Sequence, residues 1–216
     1  MRLHRETHGS GPALLLTHGF GESTRMWDDN VPALAERFRV IAWDLRGHGR
    51  SEAPADPDLY THELALADME RVLDADTAVL CGMSLGGYLS LAFRLRHPER
   101  VRALILVDTG PGYRRDDERD AWNAYVERTA GDRPVGRLLR QHDASVIASL
   151  EQIDVPTLVV VGGEDTPFLR AADHMAAKIP NARKLVIEGA GHNANQDAPE
   201  VFNRAVLDFL EAECPT

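Results

Sequence analysis

Residues 77–89 read TAVLCGMSLGGYL, a buried-type strand joined to a helix through a Gly-x-Ser-x-Gly turn. The apolar run 77–81 is typical of a strand, and the run that opens at Leu85 is typical of a helix. Glycines at both second neighbours of Ser84 permit a sharp turn and let the two segments approach each other. The pattern therefore predicts that the Ser84 hydroxyl stands at the end of the sheet beside a helix N-terminus, where a nucleophile is presented.

A serine hydroxyl is a weak nucleophile at neutral pH and needs a histidine base that a carboxylate holds in place. His192 is the predicted base because it lies in the glycine-rich loop 189–193 that leaves a strand. Asp165 is the predicted acid because it follows the buried-type strand 157–161. Asp108 also ends a strand and also lies between the serine and the histidine in the chain, so it stays open as the alternative acid.

The chain order Ser84, Asp165, His192 resembles that of the α/β-hydrolase superfamily. Two further motifs carry the resemblance. The sequence HGFG at 18–21 is similar to the family's oxyanion loop, and DLRGHGRS at 44–51 is similar to its Asp-x-Arg-Gly-x-Gly-x-Ser turn. The resemblance covers nearly the whole chain except the middle, and it favours the serine esterase and enol-lactonase-like branch.

The resemblance also implies a substrate site. The backbone amides of Phe20 and Leu85 are expected to form the oxyanion hole. The residues expected to line the substrate pocket are His18, Gly19, Met83, Trp122 and Phe168.

Short apolar runs alternate along the chain with amphipathic stretches. The predicted strands are 2–6, 13–17, 39–43, 77–81, 102–107, 157–161 and 184–187, and the predicted helices are 30–36, 63–73, 85–96, 171–179 and 199–213. This alternation predicts an α/β fold with a mostly parallel sheet and helices on both faces. Ligands of such sheets bind beyond the carboxyl ends of the strands, where every predicted catalytic residue lies.

The alternation stops between residues 109 and 153, where apolar residues recur at helical spacing. We interpret residues 1–216 as a single α/β-hydrolase domain in which 109–153 form a small, reduced helical cap. A reduced cap predicts at most two or three helices in this insertion. The segment 131–136, Gly-Asp-Arg-Pro-Val-Gly, is expected to form a turn within it.

Composition excludes several functions and partners. The net charge of −10 argues against a nucleic-acid partner, which would require clustered Lys and Arg. Two cysteines cannot build a disulfide framework, and neither a signal region nor a membrane-spanning run is recognised, so we expect a cytoplasmic protein without a membrane partner. No motif with metal-ligand spacing or dinucleotide-binding glycines is present, so we expect a reaction without metal or cofactor.

These patterns predict a serine hydrolase that cleaves carboxylic esters of small molecules through an acyl-enzyme intermediate. An enol-lactonase or a carbon-carbon bond hydrolase of aromatic degradation is the alternative, in which Arg46, Arg114 or Arg115 could bind a substrate carboxylate. A non-catalytic ligand-binding module on the same fold is the second alternative. Acyl-chain preference, the choice between ester and lactone, and the oligomeric state stay open.

Overall fold

The computed structural model describes residues 1–130 and 133–214, which form a seven-stranded sheet with helices on both faces. The strands are β1 (Arg5–His8), β2 (Ala13–Thr17), β3 (Arg39–Trp43), β4 (Ala78–Met83), β5 (Val101–Val107), β6 (Thr157–Gly162) and β7 (Ala182–Ile187), in the spatial order β1-β3-β2-β4-β5-β6-β7. β1 pairs antiparallel with β3, and the other neighbours pair in parallel. The prediction of a mostly parallel α/β sheet is confirmed.

The helices pack against the sheet in two layers. They are α1 (Val31–Leu34), α2 (His62–Leu73), α3 (Leu85–Arg96), α4 (Asp116–Ala130), α5 (Ser145–Ala148), α6 (Thr166–Lys178), α7 (Ala194–Asp197) and α8 (Pro199–Glu213). On one face, Leu80 of β4 packs in a core with α2, α3 and α6, which contribute Phe93 and Met175 among others. On the other face, Cys81 packs in a second core with α1 and α8, which contributes Phe202. Both faces of the central strands are therefore buried, which explains their unbroken apolar runs.

Two predicted elements differ from the observed ones by more than the ends of the others do. The first strand lies at Arg5–His8 rather than at 2–6, because its register is set by antiparallel pairing with β3, where Arg5 lies opposite Trp43. The helix predicted at 171–179 begins at Thr166, one turn earlier than its apolar pattern indicates. Pro167 fits there because the first turn of a helix does not use the missing amide hydrogen.

The insertion 109–153 carries α4, the one-turn helix α5 and two 3-10 helices at Pro134–Leu139 and Leu150–Gln152. Gly131 and Asp132 of the predicted turn lie outside the described residues. Of the rest of that turn, residues 134–136 belong to the 3-10 helix that begins at Pro134. The His62 ring of α2 fastens this insertion to the body of the domain, because its Nε2 donates to Leu138 O at 2.8 Å. Within the described ranges, none of the helices is long and apolar enough to cross a membrane.

Candidate active site

Ser84 lies in the turn between β4 and α3 with φ 50° and ψ −113°, which is strained for a residue that carries a side chain. The flanking glycines are required sterically: a Cβ on Gly82 would lie 2.2 Å from Gly86 O, and one on Gly86 would lie 2.1 Å from a carbonyl oxygen of β2. Ser84 N donates to Val107 O at 2.9 Å, and Thr109 Oγ1 donates to Ser84 O at 2.6 Å. Backbone contacts on both sides therefore hold the strained turn in place.

Three side chains from distant parts of the chain meet beyond the carboxyl ends of β4, β6 and β7. His192 Nε2 lies 3.2 Å from Ser84 Oγ, and His192 Nδ1 lies 2.9 Å from Asp165 Oδ2. The Asp165 side chain is almost fully buried, whereas 43% of the His192 side chain is exposed. Phe168 supports the imidazole from one side, with its ring stacked at 4.8 Å and 28°. Because a carboxylate only accepts, Asp165 favours the tautomer with hydrogen on Nδ1, which leaves the Nε2 lone pair for the serine.

Asp108 does not occupy the position of Asp165. Its carboxyl group is fully buried and accepts from two backbone amides, Gly162 N at 2.8 Å on Oδ1 and Ala194 N at 2.9 Å on Oδ2. Burial raises the pKa of Asp108 to about 7, assisted by the Asp165 carboxylate, while the two amide donors oppose the rise. Asp108 therefore clamps the end of β6 to the loop that carries His192, and it is the Asp165 carboxylate that contacts the His192 ring.

The loop that carries His192 is anchored on its other side by a buried asparagine. Asn195 is fully buried, and its Nδ2 donates to Met26 O at 3.0 Å and to Asn30 Oδ1 at 3.1 Å. Gly191 N donates to Asp197 Oδ2 at 2.7 Å. These contacts restrict the imidazole to one side of the cleft, and no sequence pattern had singled out Asn195.

The predicted oxyanion loop is oriented by His18, which is fully buried. Leu45 N donates to His18 Nε2 at 2.9 Å, so Nδ1 carries the hydrogen and donates to Gly19 O at 2.6 Å. Burial lowers the pKa of His18 to about 4, so the ring is neutral. The carbonyl oxygen and amide hydrogen of a trans peptide point in opposite directions, so the Phe20 amide points away from the buried ring. Among the described residues, neither that amide nor the Leu85 amide has a protein acceptor.

The family model for the α/β hydrolase fold matches residues 12–144, well over half of the chain. The chain belongs to the α/β-hydrolase family. The match includes the predicted oxyanion loop at 18–21 and the strand-turn-helix around Ser84.

Curated relatives of this α/β-hydrolase span almost its whole length. It is 29% identical over 257 residues to a Pseudomonas savastanoi protein named "Putative carbamate hydrolase RutD", covering 98% of each chain. It is 30% identical to a pimeloyl-[acyl-carrier protein] methyl ester esterase of Nitrosomonas europaea, covering 93% of this chain and 96% of the relative. The enol-lactonase structure from Burkholderia xenovorans LB400 superimposes with a TM-score of 0.79 at 27% identity, covering 96% of each chain. The alignment with the Pseudomonas savastanoi protein is 257 residues long and this chain has 216, so the Pseudomonas protein carries segments that are absent from this chain.

A cleft of about 310 Å³ opens onto the serine of this α/β-hydrolase. Gly19, Phe20 and Met83 line it beside Ser84 and His192. A Cβ on Gly19 would lie 2.6 Å from Met83 Sδ, so the glycine lets the Met83 side chain pack close to this loop.

Three of the residues predicted for the pocket do not line this cleft. His18 lies behind the wall of the cleft, because both of its ring nitrogens are engaged by backbone groups in the interior. Trp122 lies on α4, where Nε1 donates to Leu139 O at 2.7 Å and the ring packs between Tyr113 and Tyr125. The apolar residues of the insertion recur at helical spacing, but that spacing does not encode which side of α4 faces the cleft. Phe168 contacts the His192 ring and is not among the residues that line the cleft.

Proposed function

We propose that this protein is a serine hydrolase that cleaves carboxylic esters of small molecules through an acyl-enzyme intermediate. One observation carries the proposal. His192 Nε2 lies 3.2 Å from Ser84 Oγ, and His192 Nδ1 lies 2.9 Å from Asp165 Oδ2. These separations fit a nucleophile, a general base and the group that orients the base.

In the proposed reaction, Ser84 Oγ attacks the ester carbonyl carbon while His192 Nε2 takes the hydroxyl proton. Asp165 stabilises the imidazolium that results. His192 then returns the proton to the leaving alkoxide oxygen as the carbon-oxygen bond breaks, which leaves an acyl group on Ser84. A water molecule attacks this acyl group with the same proton relay, and the free acid and the serine hydroxyl are restored.

The amides of Phe20 and Leu85 serve as oxyanion donors in this mechanism. Leu85 N lies at the first turn of α3, where the helix dipole adds to the amide. Phe20 N points away from the buried His18 ring, as the Gly19 peptide requires. Each donor is expected to lower the barrier by about 2.7 to 4 kcal/mol, the cost of removing such a donor in other enzymes.

The open cleft fits an insertion 109–153 that acts as a reduced cap. The carbamate hydrolase relative carries segments that this chain lacks, and we propose that those segments belong to this insertion. An exposed His192 ring and a cleft open to solvent favour small substrates with free access of water to the acyl-enzyme.

Lactone hydrolysis is the second candidate, favoured by the likeness to an enol-lactonase structure. The same nucleophile and oxyanion donors would open a cyclic ester, in which the leaving oxygen stays attached to the acyl chain. Ester and lactone activity are separated by comparing p-nitrophenyl butyrate with a neutral γ-lactone, the latter followed by acid release in a pH-stat.

The test uses p-nitrophenyl butyrate with the wild type, Ser84→Ala and the exposed-serine control Ser10→Ala. We expect an initial burst of p-nitrophenol from the wild type and an acyl adduct on the tryptic peptide that contains Ser84. Turnover should fall by about a millionfold in Ser84→Ala, as for other triads that act as a unit, and should be unchanged in Ser10→Ala. Esterase activity retained by Ser84→Ala would refute the proposal, and wild type inactive on esters and lactones would favour a binding module.

A further inference from the structure

The charged groups that line the cleft in front of Ser84 are carboxylates. Glu22 and Asp197 belong to the lining, whereas no lysine or arginine is found among the described residues that line it. Asp197 is held in place, because its Oδ2 accepts from Gly191 N at 2.7 Å. Glu22 is half-buried and has no cationic partner within residues 1–130 and 133–214. A substrate that enters this cleft therefore meets negative charge that the protein does not neutralise.

The arginines that could have bound a substrate carboxylate are engaged or placed elsewhere. Arg46 is buried, where Nε donates to Asp68 Oδ2 at 2.7 Å and Nη2 donates to Leu64 O at 2.9 Å. Arg115 is exposed and pairs with Asp117, with Nε 2.9 Å from Oδ1. Arg114 is exposed, and it is not part of the lining. None of the three therefore offers a cation to a substrate bound at Ser84.

Arg133 lies behind one of the residues that line the cleft. The Arg133 guanidinium lies over the Phe20 ring, with Cζ 5.2 Å from the ring centroid, and its Nε donates to Ala130 O at 3.1 Å. Phe20 lines the cleft, whereas Arg133 does not. Arg133 therefore contacts the far side of a lining residue, whereas Glu22 and Asp197 belong to the lining itself.

We propose that the cleft selects neutral or cationic esters and disfavours anionic ones, with Glu22 as a specificity-determining residue. The inference rests on the proposed ester hydrolysis at Ser84. A unit charge about 4 Å from another in a water-like medium changes affinity by about fivefold, which sets the expected size of the effect. The charge acts on substrate binding, so it should alter kcat/KM and become weaker at high salt.

The experiment compares three p-nitrophenyl esters of six-carbon acids that share one leaving group: the hexanoate, the monoester of adipic acid and the 6-(trimethylammonio)hexanoate. Each is assayed with the wild type, with Glu22→Gln, and with Glu36→Gln, which removes an equal charge at an exposed position outside the cleft. Rates in Ser84→Ala are subtracted as background. Salt is varied between low and high ionic strength.

We expect the wild type to prefer the hexanoate and the cationic ester over the adipate monoester. Glu22→Gln should raise kcat/KM for the adipate monoester about fivefold, lower it for the cationic ester, and leave the hexanoate within twofold. Glu36→Gln should change none of these ratios. Wild type that prefers the adipate monoester, or a Glu22→Gln variant that changes all three esters alike, would overturn the inference while leaving ester hydrolysis intact. Failure to cleave any of the three through Ser84 would overturn the proposed function and the inference with it.

Discussion

The substitution of Asp165 by asparagine separates the two candidate acids most sharply. In the wild type, Asp165 Oδ2 accepts from His192 Nδ1 at 2.9 Å, which keeps the lone pair of Nε2 facing Ser84 Oγ. An asparagine amide group can donate to Nδ1 and so stabilise the opposite tautomer, in which Nε2 carries a hydrogen and cannot accept one. The variant also loses a carboxylate beside the imidazolium, an interaction of about 4 kcal/mol at an effective dielectric of 20. Together these effects predict a fall in kcat of about four decades, or about 5.5 kcal/mol.

Asp108→Asn is the matched control, because it also replaces one carboxylate oxygen by an amide nitrogen, in a neighbouring carboxyl group. An asparagine accepts from only one of the Gly162 and Ala194 amides and turns a donor toward the other. We expect a loss of about 1 to 3 kcal/mol in the free energy of unfolding. The kcat of Asp108→Asn should stay within about tenfold of wild type, because Asp165 still holds the His192 ring.

The assay is steady-state hydrolysis of p-nitrophenyl butyrate at a temperature where thermal melts show all three proteins folded. KM should change little in Asp165→Asn, because the acid acts after the substrate is bound. A four-decade loss in Asp108→Asn, together with near-normal turnover in Asp165→Asn, would refute the reasoning.

Three further results are expected. Ser84→Gly should be about 1 kcal/mol more stable than Ser84→Ala in urea unfolding, because glycine relieves the strain at φ 50° by more than its added chain entropy costs. Gly82→Ala should lose about 3 kcal/mol of stability, because its Cβ would meet Gly86 O at 2.2 Å, and backbone cannot yield as a side chain does. Asp108, whose pKa rises from the ordinary 3.8 to about 7, should stabilise the fold fully below pH 4 and lose that contribution as pH rises through 7, by up to about 4 kcal/mol.

Each of these results has its own control. Equal stability of the two Ser84 variants would show that the turn is not strained. Gly21→Ala, at φ 84° with open space around its Cβ, should lose only about 1 kcal/mol, and an equal loss in both glycine variants would contradict the steric account. The Asp108 contribution is measured as the difference in the free energy of unfolding between wild type and Asp108→Asn from about pH 4 to 8. This difference cancels the opposite slope of His18, and parallel curves would contradict the prediction.

The sequence predicted the central strands and helices well because the way each one is buried leaves a clear pattern of apolar residues. The strands at 13–17 and 39–43 and the helices at 85–96 and 199–213 were found with the predicted bounds. A strand buried on both faces is a short apolar run between turn residues, and a helix with one buried face has a clear period. The edge strand β1 lacks this signal, since mostly exposed residues form it and its position depends on pairing with β3.

The sequence predicted which residues belong to the candidate site from their motifs and their order along the chain, but it did not predict where their side chains point. Ser84 and His192 stood out because glycines surround both of them in loops that follow strands. The sequence favoured Asp165 as the acid but left Asp108 open, since both follow a buried strand and only the direction of each side chain tells them apart. His18 was expected in the pocket wall, but a motif does not reveal that both ring nitrogens are satisfied inside the protein. Asn195 carries its contacts to residues more than 160 positions away, beyond the reach of any local pattern.

The buried Asp108 carboxyl group joins the loops that carry Asp165 and His192, through Gly162 on one side and Ala194 on the other. A transplanted or randomised Asp165 segment would no longer match the His192 loop, because both segments are held by the same Asp108 carboxyl group. Recombination between homologues should therefore succeed more often when both segments are inherited from the same parent. The Asp165 and His192 segments should therefore be exchanged together, with crossover points outside both of them.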